Sequence, residues 1–339
     1  MYFIYNNFCY DNNNNIIRDL IIAPEIQNKS YDSWKDLSNK PIINFDTVLY
    51  FSNRYDDNFG HFMSETFHLL KYFFDDKIDK SKIKILVRKD YYKTGAFLHY
   101  EILEILDLLD YVCVMENDTI YKANNFINSK KRIFLEKEED TNYTKLVNKL
   151  IKKCREKSSI ECVDNIYLSR KHLQNSGAGQ RFIENHKEMS YIINKYKYKT
   201  YRVDNLKFYD QVKIINSAKN IIIEICSGCE NIRFVNKNCK FSIIYPKILN
   251  YWVNMYNQSN NFVPIECLNI VKLSPTHPTG ERFSVFNADL DKLEKLLKKN
   301  KINGGLKKIN RYNKTIDYTK FLIIIFVLVC FYKMLKIRI

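Results

Sequence analysis

The chain has little glycine (8) and little proline (6), and its nine cysteines fall into no regular spacing. Odd in number and scattered, they suggest no disulfide framework, and free thiols in a reducing compartment are the simpler expectation. The residues after Met1 do not form a charged stretch followed by a cleavable apolar core, so no secretory leader is expected. A mean hydropathy of −0.37 excludes a polytopic membrane protein. The heavy use of Asn, Lys, Ile and Tyr reads as the bias of an AT-rich coding sequence. Lys-for-Arg and Ile-for-Leu choices, and runs such as Asn12 to Asn15, therefore carry little functional meaning.

The 339 residues are enough for two core-forming domains, and a hydrophobic content of 46% supports sizeable cores. The net charge is +16, but it is unevenly placed. Residues 291–320 carry a net +7 and residues 321–339 a net +3, so the first 290 residues hold only +6 of the +16. The body has no basic stripe interleaved with aromatics, so a nucleic-acid partner is not expected. The concentrated charge adjoins the one long apolar run, Phe321 to Tyr332, which favours a membrane surface. As a helix these twelve residues span only about 18 Å. Extension over residues 318–335, with Lys320 and Lys333 snorkelling, brings the length to about 27 Å, close to the bilayer core of about 30 Å. The expectation is a single C-terminal anchor with the folded body in the cytosol; a buried or interfacial helix is the alternative.

Periodicity divides the rest. Residues 1–40 read as an irregular, Asn-rich arm. From Ile42 the pattern is strand (to Phe51), helix (aromatic face Phe59, Phe62, Met63, Phe67, Leu70, Phe74), strand (Ile83–Val87), helix (Phe97–Leu109) and strand (Tyr111–Met115), a βαβαβ unit over 41–155. Residues 136–160 read as a charged helical connection. A second unit, 156–285, alternates strands at 166–169, 200–203, 220–225, 241–245 and 262–265 with helices at 180–196, 208–218, 230–235 and 249–256. An amphipathic helix from Asn287 to Asn300 and a basic linker (286–317) precede the anchor (318–335). The fold class is thus α/β: two Rossmann-like units, each a parallel sheet covered on both faces, flanking a cleft.

Three places carry chemistry. His61, Glu65 and His68 fall at i, i+4 and i+7, one helical face. A His one turn from a carboxylate fits a general base with its orienting partner; a solvated polar face and a His-Glu-His zinc site are the other readings. Ser169 and Arg170 end an apolar strand, and Arg181 and Asn185 follow on a predicted helix. These four could converge on an anion, since guanidinium suits phosphate, or form surface ion pairs. Cys226-Ser227-Gly228-Cys229 reads as a redox pair, half a zinc site, or a tight turn aiming a helix start near Glu230 and Asn231 at a phosphate.

Together these segments resemble the glycosyltransferase family 61 catalytic domain over about residues 42–267. One family signature, Asn-aromatic-x-His-aromatic with an acid four residues beyond the His, is similar to Asn58, His61, Phe62 and Glu65. A second, Ser-Arg at a strand end with Arg-x-x-x-Asn downstream, is similar to Ser169, Arg170, Arg181, Asn185 and Glu188. Phe208 and Gln211, with Ala218, resemble a third. The family's Gly-rich turn is matched at Ser227, Gly228, Asn231 and Phe234, whereas Ile225 and Cys226 stand where it has His and Gly. The acid expected after the 241–245 strand is also absent, Ile243 and Ile244 filling its place.

The resemblance implies a GT-B fold and inverting transfer from a nucleotide-sugar to a hydroxyl on a glycan, protein or lipid acceptor, with no metal or other cofactor. Arg170 and Arg181 would hold the diphosphate, Asn185 and Glu188 would orient the donor, Ser227, Gly228 and Asn231 would line its turn, and His61 with Glu65 would deprotonate the acceptor. A catalytically inactive scaffold of this fold and a basic membrane-associated interaction protein are the alternatives.

Overall fold

The computed structural model describes residues 2–5, 8–10, 39–52, 56–92, 98–128, 140–170, 183–246, 249–256 and 286–299. Two sheets organise them. The first has six strands in the order β2-β1-β6-β3-β4-β5. These are β1 (Tyr2–Tyr5), β2 (Phe8–Tyr10), β3 (Ile42–Tyr50), β4 (Ile83–Arg88), β5 (Val112–Met115) and β6 (Ile120–Ile127). Strands β6, β3, β4 and β5 are parallel, and β1 and β2 extend the sheet antiparallel. The second sheet, β10-β9-β7-β8, is wholly parallel: β7 (Asn165–Leu168), β8 (Lys199–Tyr201), β9 (Asn220–Glu224) and β10 (Lys240–Ile244).

The βαβαβ reading of the first half therefore gains a strand, and the arm is not wholly irregular. Strand β6 runs parallel to β3 along seven paired positions, yet its Lys122, Asn124 and Asn125 hid it from an apolar pattern. Tyr2–Tyr5 pairs with β6, and Ile4 is buried there. The strand expected at 262–265 lies outside the described residues.

The helix expected after Asn58 begins as α1 (Phe59–His61). It continues as a π turn (Phe62–Thr66) and then a 3-10 stretch (Phe67–Phe74). Asn58 caps it, its side-chain oxygen accepting the Gly60 N–H at 2.9 Å, a contact worth about 1 kcal/mol. Behind the start, buried Asp56 accepts from Thr66 Oγ1 at 2.7 Å and pairs with His99 Nε2 at 2.8 Å. The remaining helices are α2 (His99–Ile105), α3 (Thr141–Lys157), α4 (His186–Lys195), α5 (Phe208–Ser217), α6 (Asn250–Tyr256) and α7 (290–299), with a 3-10 turn at Ser227–Phe234.

The two halves share one apolar core. It runs from Leu49, Phe62, Phe67 and Ile85 in the first to Ile166, Phe208, Ile223 and Phe234 in the second. Phe67 stands edge-on to both Tyr143 of α3 (6.3 Å) and Phe234 (6.4 Å), so α3 and the 3-10 turn knit the halves together. Amphipathic α7 buries Leu293 and Leu297 against Met189 and Ile193 of α4, on the far face of the second sheet. Among the described residues no helix is long and apolar enough to cross a membrane; the expected anchor, 318–335, lies outside them.

Candidate active site

Parallel strands deliver their carboxyl ends to one edge, where crossing ligands sit in open α/β sheets. Here the segments that carry the chemistry meet at the turn that leaves β9, Ile225 to Gly228. The start of the leading helix lies against it. A Cβ placed on Gly60 would stand 3.1 Å from Ser227 Cβ and 3.3 Å from Ser227 Cα, so glycine is what permits the approach. From the next strand over, Arg170 donates from Nη1 to the Ile225 carbonyl at 3.0 Å. The two candidate loci thus reach one turn from two different sheets.

His61 follows Gly60 directly. Its Nδ1 lies 2.6 Å from Glu65 Oε1, and the pair is partly exposed. A carboxylate on Nδ1 holds the ring proton there and makes Nε2 the basic nitrogen. His68, expected on the same face, is instead buried. The π turn inserts an extra residue and the 3-10 stretch then winds at about 120° per residue, so i+7 no longer shares a face with i. Burial, followed by the charges of Arg233 and Lys71, lowers the His68 pKa to about 3. Among the described residues no three His, Cys, Asp or Glu side chains gather as metal ligands.

On the second sheet Ser169 is buried, its Oγ 3.1 Å from His186 Nε2 and 3.5 Å from Glu224 Oε1. It therefore faces an internal network and does not open onto the turn. Arg170 is partly exposed, and its buried Nε has no hydrogen-bond partner among the described residues. Such a donor costs about 1–3 kcal/mol when left unpaired, and a native site that keeps one calls for an acceptor from elsewhere. Arg181 lies outside the described residues.

Other expected contacts are differently employed. The Asn185 amide donates to the Ala288 carbonyl and accepts the Ala288 N–H, both at 2.8 Å, so it clasps the start of α7. Glu188 is exposed in the first turn of α4. Asn231 is fully buried beneath the turn and donates to the Gly228 carbonyl at 3.0 Å. Gln211 donates to the Val203 and Leu206 carbonyls and fixes the loop before α5.

Glu230 does not reach the cleft. Arg233 grips it through Nε (3.0 Å) and Nη2 (2.6 Å), and Tyr256 donates to its other oxygen at 3.1 Å. Cys226 and Cys229 are free thiols. Burial, and then its neighbour Cys226, push the Cys229 thiol well above its ordinary pKa, which opposes the thiolate a redox nucleophile needs. The tight-turn reading is the one the geometry favours.

The sequence reading missed Glu224, which looks like the last residue of a buried strand. The signal was there: an acid ending an otherwise all-isoleucine run at the carboxyl edge of a parallel sheet.

The family model of Glycosyltransferase 61 matches residues 59–242, more than half of the chain. The chain belongs to glycosyltransferase family 61. No curated protein matches it. The matched span opens at the leading helix, one residue after its Asn58 cap, and closes within β10, so it contains both loci and the turn that joins them. The protein is a glycosyltransferase, and family 61 chemistry calls for a sugar donor and an acceptor.

Proposed function

We propose that the protein transfers a sugar from a nucleotide-sugar to an acceptor hydroxyl with inversion, without a divalent cation. In this reading the two sheets are the Rossmann-like halves of a GT-B arrangement, with the donor on the second and the acceptor on the first. One observation carries it: the helix start bearing the carboxylate-paired His61 and the guanidinium of Arg170 meet at a single turn.

The chemistry follows from the groups. His61 Nε2 takes the acceptor proton as the hydroxyl oxygen attacks the anomeric carbon, while Glu65 stabilises the imidazolium. The bond to the diphosphate breaks on the opposite face, and the leaving charge falls to Arg170, with Arg181 as its proposed companion. The half-buried Ser227 and Gly228 wall the donor. The fixed cation of arginine does what a metal would otherwise do, and the Asp-x-Asp of the sequence, Asp289-Leu290-Asp291, stands at the start of α7 and not at the end of a strand. The acceptor is a glycan, protein or lipid. Attachment to a membrane through the apolar C-terminal segment, with the body in the cytosol, accords with the basic run before it and with the free thiols at Cys113, Cys154, Cys162, Cys226, Cys229 and Cys239.

The test is a panel of nucleotide-sugars with the product's anomeric configuration read by NMR in EDTA, repeated for His61→Ala. The expected result is an inverted product and a kcat lower by about 100- to 10,000-fold in the variant. A retained configuration, or an unchanged kcat, would overturn the assignment. Protease protection on microsomes tests the location; a protected body would place it in the lumen.

A further inference from the structure

Strand β7 pairs with β9 so that Leu168 lies opposite Ile223, which sets Ser169 beside Glu224. Alternation along the two strands then points Tyr167, Ser169, Ile222 and Glu224 to one face, the face covered by α4. The polar members of that face close on a single carboxylate oxygen. Glu224 Oε1 accepts a hydrogen bond from the Tyr167 hydroxyl, and it accepts the Arg170 backbone N–H at 3.2 Å. Ser169 Oγ approaches it at 3.5 Å. His186 Nε2 stands 3.1 Å from both hydroxyls and 3.4 Å from Glu224 Oε1, and its Nδ1 is 3.0 Å from Ser190 Oγ. Tyr167, Ser169, His186 and Glu224 are all at most 5% exposed.

A buried carboxylate in a strand of isoleucines is costly unless its hydrogen bonds are put to use. The use is visible in what it holds. Arg170 is the second residue after β7, where the chain leaves the sheet. Its backbone N–H is fixed by Glu224, and its guanidinium is fixed by the carbonyl of the next residue, Ile225. Consecutive residues therefore clamp Arg170 at both ends. The guanidinium is presented at the Ile225–Gly228 turn in one orientation before any ligand arrives, and that lowers the ordering cost of binding.

We propose that Glu224, braced by Tyr167, Ser169 and His186, is the positioning residue of the donor site and acts through Arg170. The proposal rests on the reading that Arg170 holds the donor diphosphate. It is tested by calorimetric titration of uridine, guanosine and cytidine diphosphate into the full chain. The variants are Arg170→Ala, Glu224→Ala, the double variant and Glu224→Gln, using whichever diphosphate the wild type binds most tightly.

Glu224→Ala is expected to weaken binding at least about fivefold, and the double variant to be no weaker than Arg170→Ala alone, as residues acting through one another are non-additive. Glu224→Gln keeps a carbonyl oxygen for both donors and is expected to stay within about threefold of wild type. Unchanged binding in Glu224→Ala beside a loss in Arg170→Ala, or losses that multiply in the double variant, would overturn the proposal and leave the donor reading intact. No loss in Arg170→Ala would instead remove the donor reading itself. Where Glu224→Ala does not fold, Tyr167→Phe replaces it. That variant is expected to weaken binding only when Arg170 is present, and an equal loss with and without Arg170 counts against the proposal.

Discussion

Two arginines sit on the segments that leave neighbouring strands of the second sheet, Arg170 after β7 and Arg233 after β9, and their surroundings are opposite. Arg233 is closed in. Its Nε and Nη2 hold Glu230, its Nη1 donates to Tyr143 at 2.8 Å, and the ion pair is almost wholly buried. Burial alone would lower its pKa, yet Tyr143 and Glu230 hold it above the ordinary arginine value. Arg170 is open. One carbonyl takes Nη1, and Nε has no partner among the described residues. A guanidinium whose donors are consumed by its own chain can only build the fold, whereas one on a partly exposed residue can meet a ligand. The comparison separates scaffold from site more sharply than charge or motif does.

Breaking the closed side should have the largest effect. Arg233→Ala leaves Glu230 buried and uncompensated and is expected to cost about 3–5 kcal/mol of unfolding free energy, read from urea denaturation. A loss within 1 kcal/mol of zero, on the scale of an exposed pair, would mean that the pair is not the lock it looks like.

His68 sharpens the same side through pH. Unfolded, it takes a proton near 6.5; folded, beside Arg233, near 3. Between those values the unfolded chain binds more protons, so stability falls as the pH drops below about 6.5 and the effect is complete near 3. From pH 7.5 to pH 5 this amounts to about 2 kcal/mol. The expected observation is that His68→Gln loses less stability over that interval than wild type. Equal slopes would show that His68 takes its proton in the folded state as well.

On the open side, Gly60→Ala sets a methyl against Ser227, 3.1 Å from its Cβ. The overpacking is expected to cost about 1–3 kcal/mol, less the helix-propensity gain over glycine of up to about 1 kcal/mol. Because the contact lies at the turn, kcat should fall in a variant that still unfolds cooperatively. Wild-type kcat in Gly60→Ala would show that the two loci do not need this approach.

Much of this was legible in the sequence, and the exceptions have physical causes. The β-branched run Ile221-Ile222-Ile223 announced β9, and the Asn58 cap announced the leading helix. The strand β6 was hidden because Lys122, Asn124 and Asn125 break its apolar alternation, while pairing with β1 and β3 on both sides supplies the strand state that side chains do not. The i, i+4 spacing of His61 and Glu65 brings their side chains within 2.6 Å. Constant helical pitch places His68 on the face of His61, whereas the π turn and the 3-10 stretch turn it into the interior. The motif spacing suggests a ligand group at Asn185, but its partner Ala288 is 103 residues away, and no local pattern reports a contact at that distance. Glu224 was passed over because hydrophobic periodicity looks for what a strand buries, not for the polar atom that its register sets beside the neighbouring strand's exit.

The account turns on whether the open arginine binds what the closed one cannot. The direct measurement is the dissociation constant of a nucleoside diphosphate in EDTA, for wild type and for Arg170→Ala, with unfolding free energy measured on the same samples. The account predicts binding that survives chelation and weakens by about 10- to 150-fold in the variant, the worth of charge-assisted hydrogen bonds at about 1.5–3 kcal/mol, while stability changes by less than about 1 kcal/mol. An unchanged dissociation constant, or wild-type binding that disappears in EDTA and returns with manganese, would contradict it.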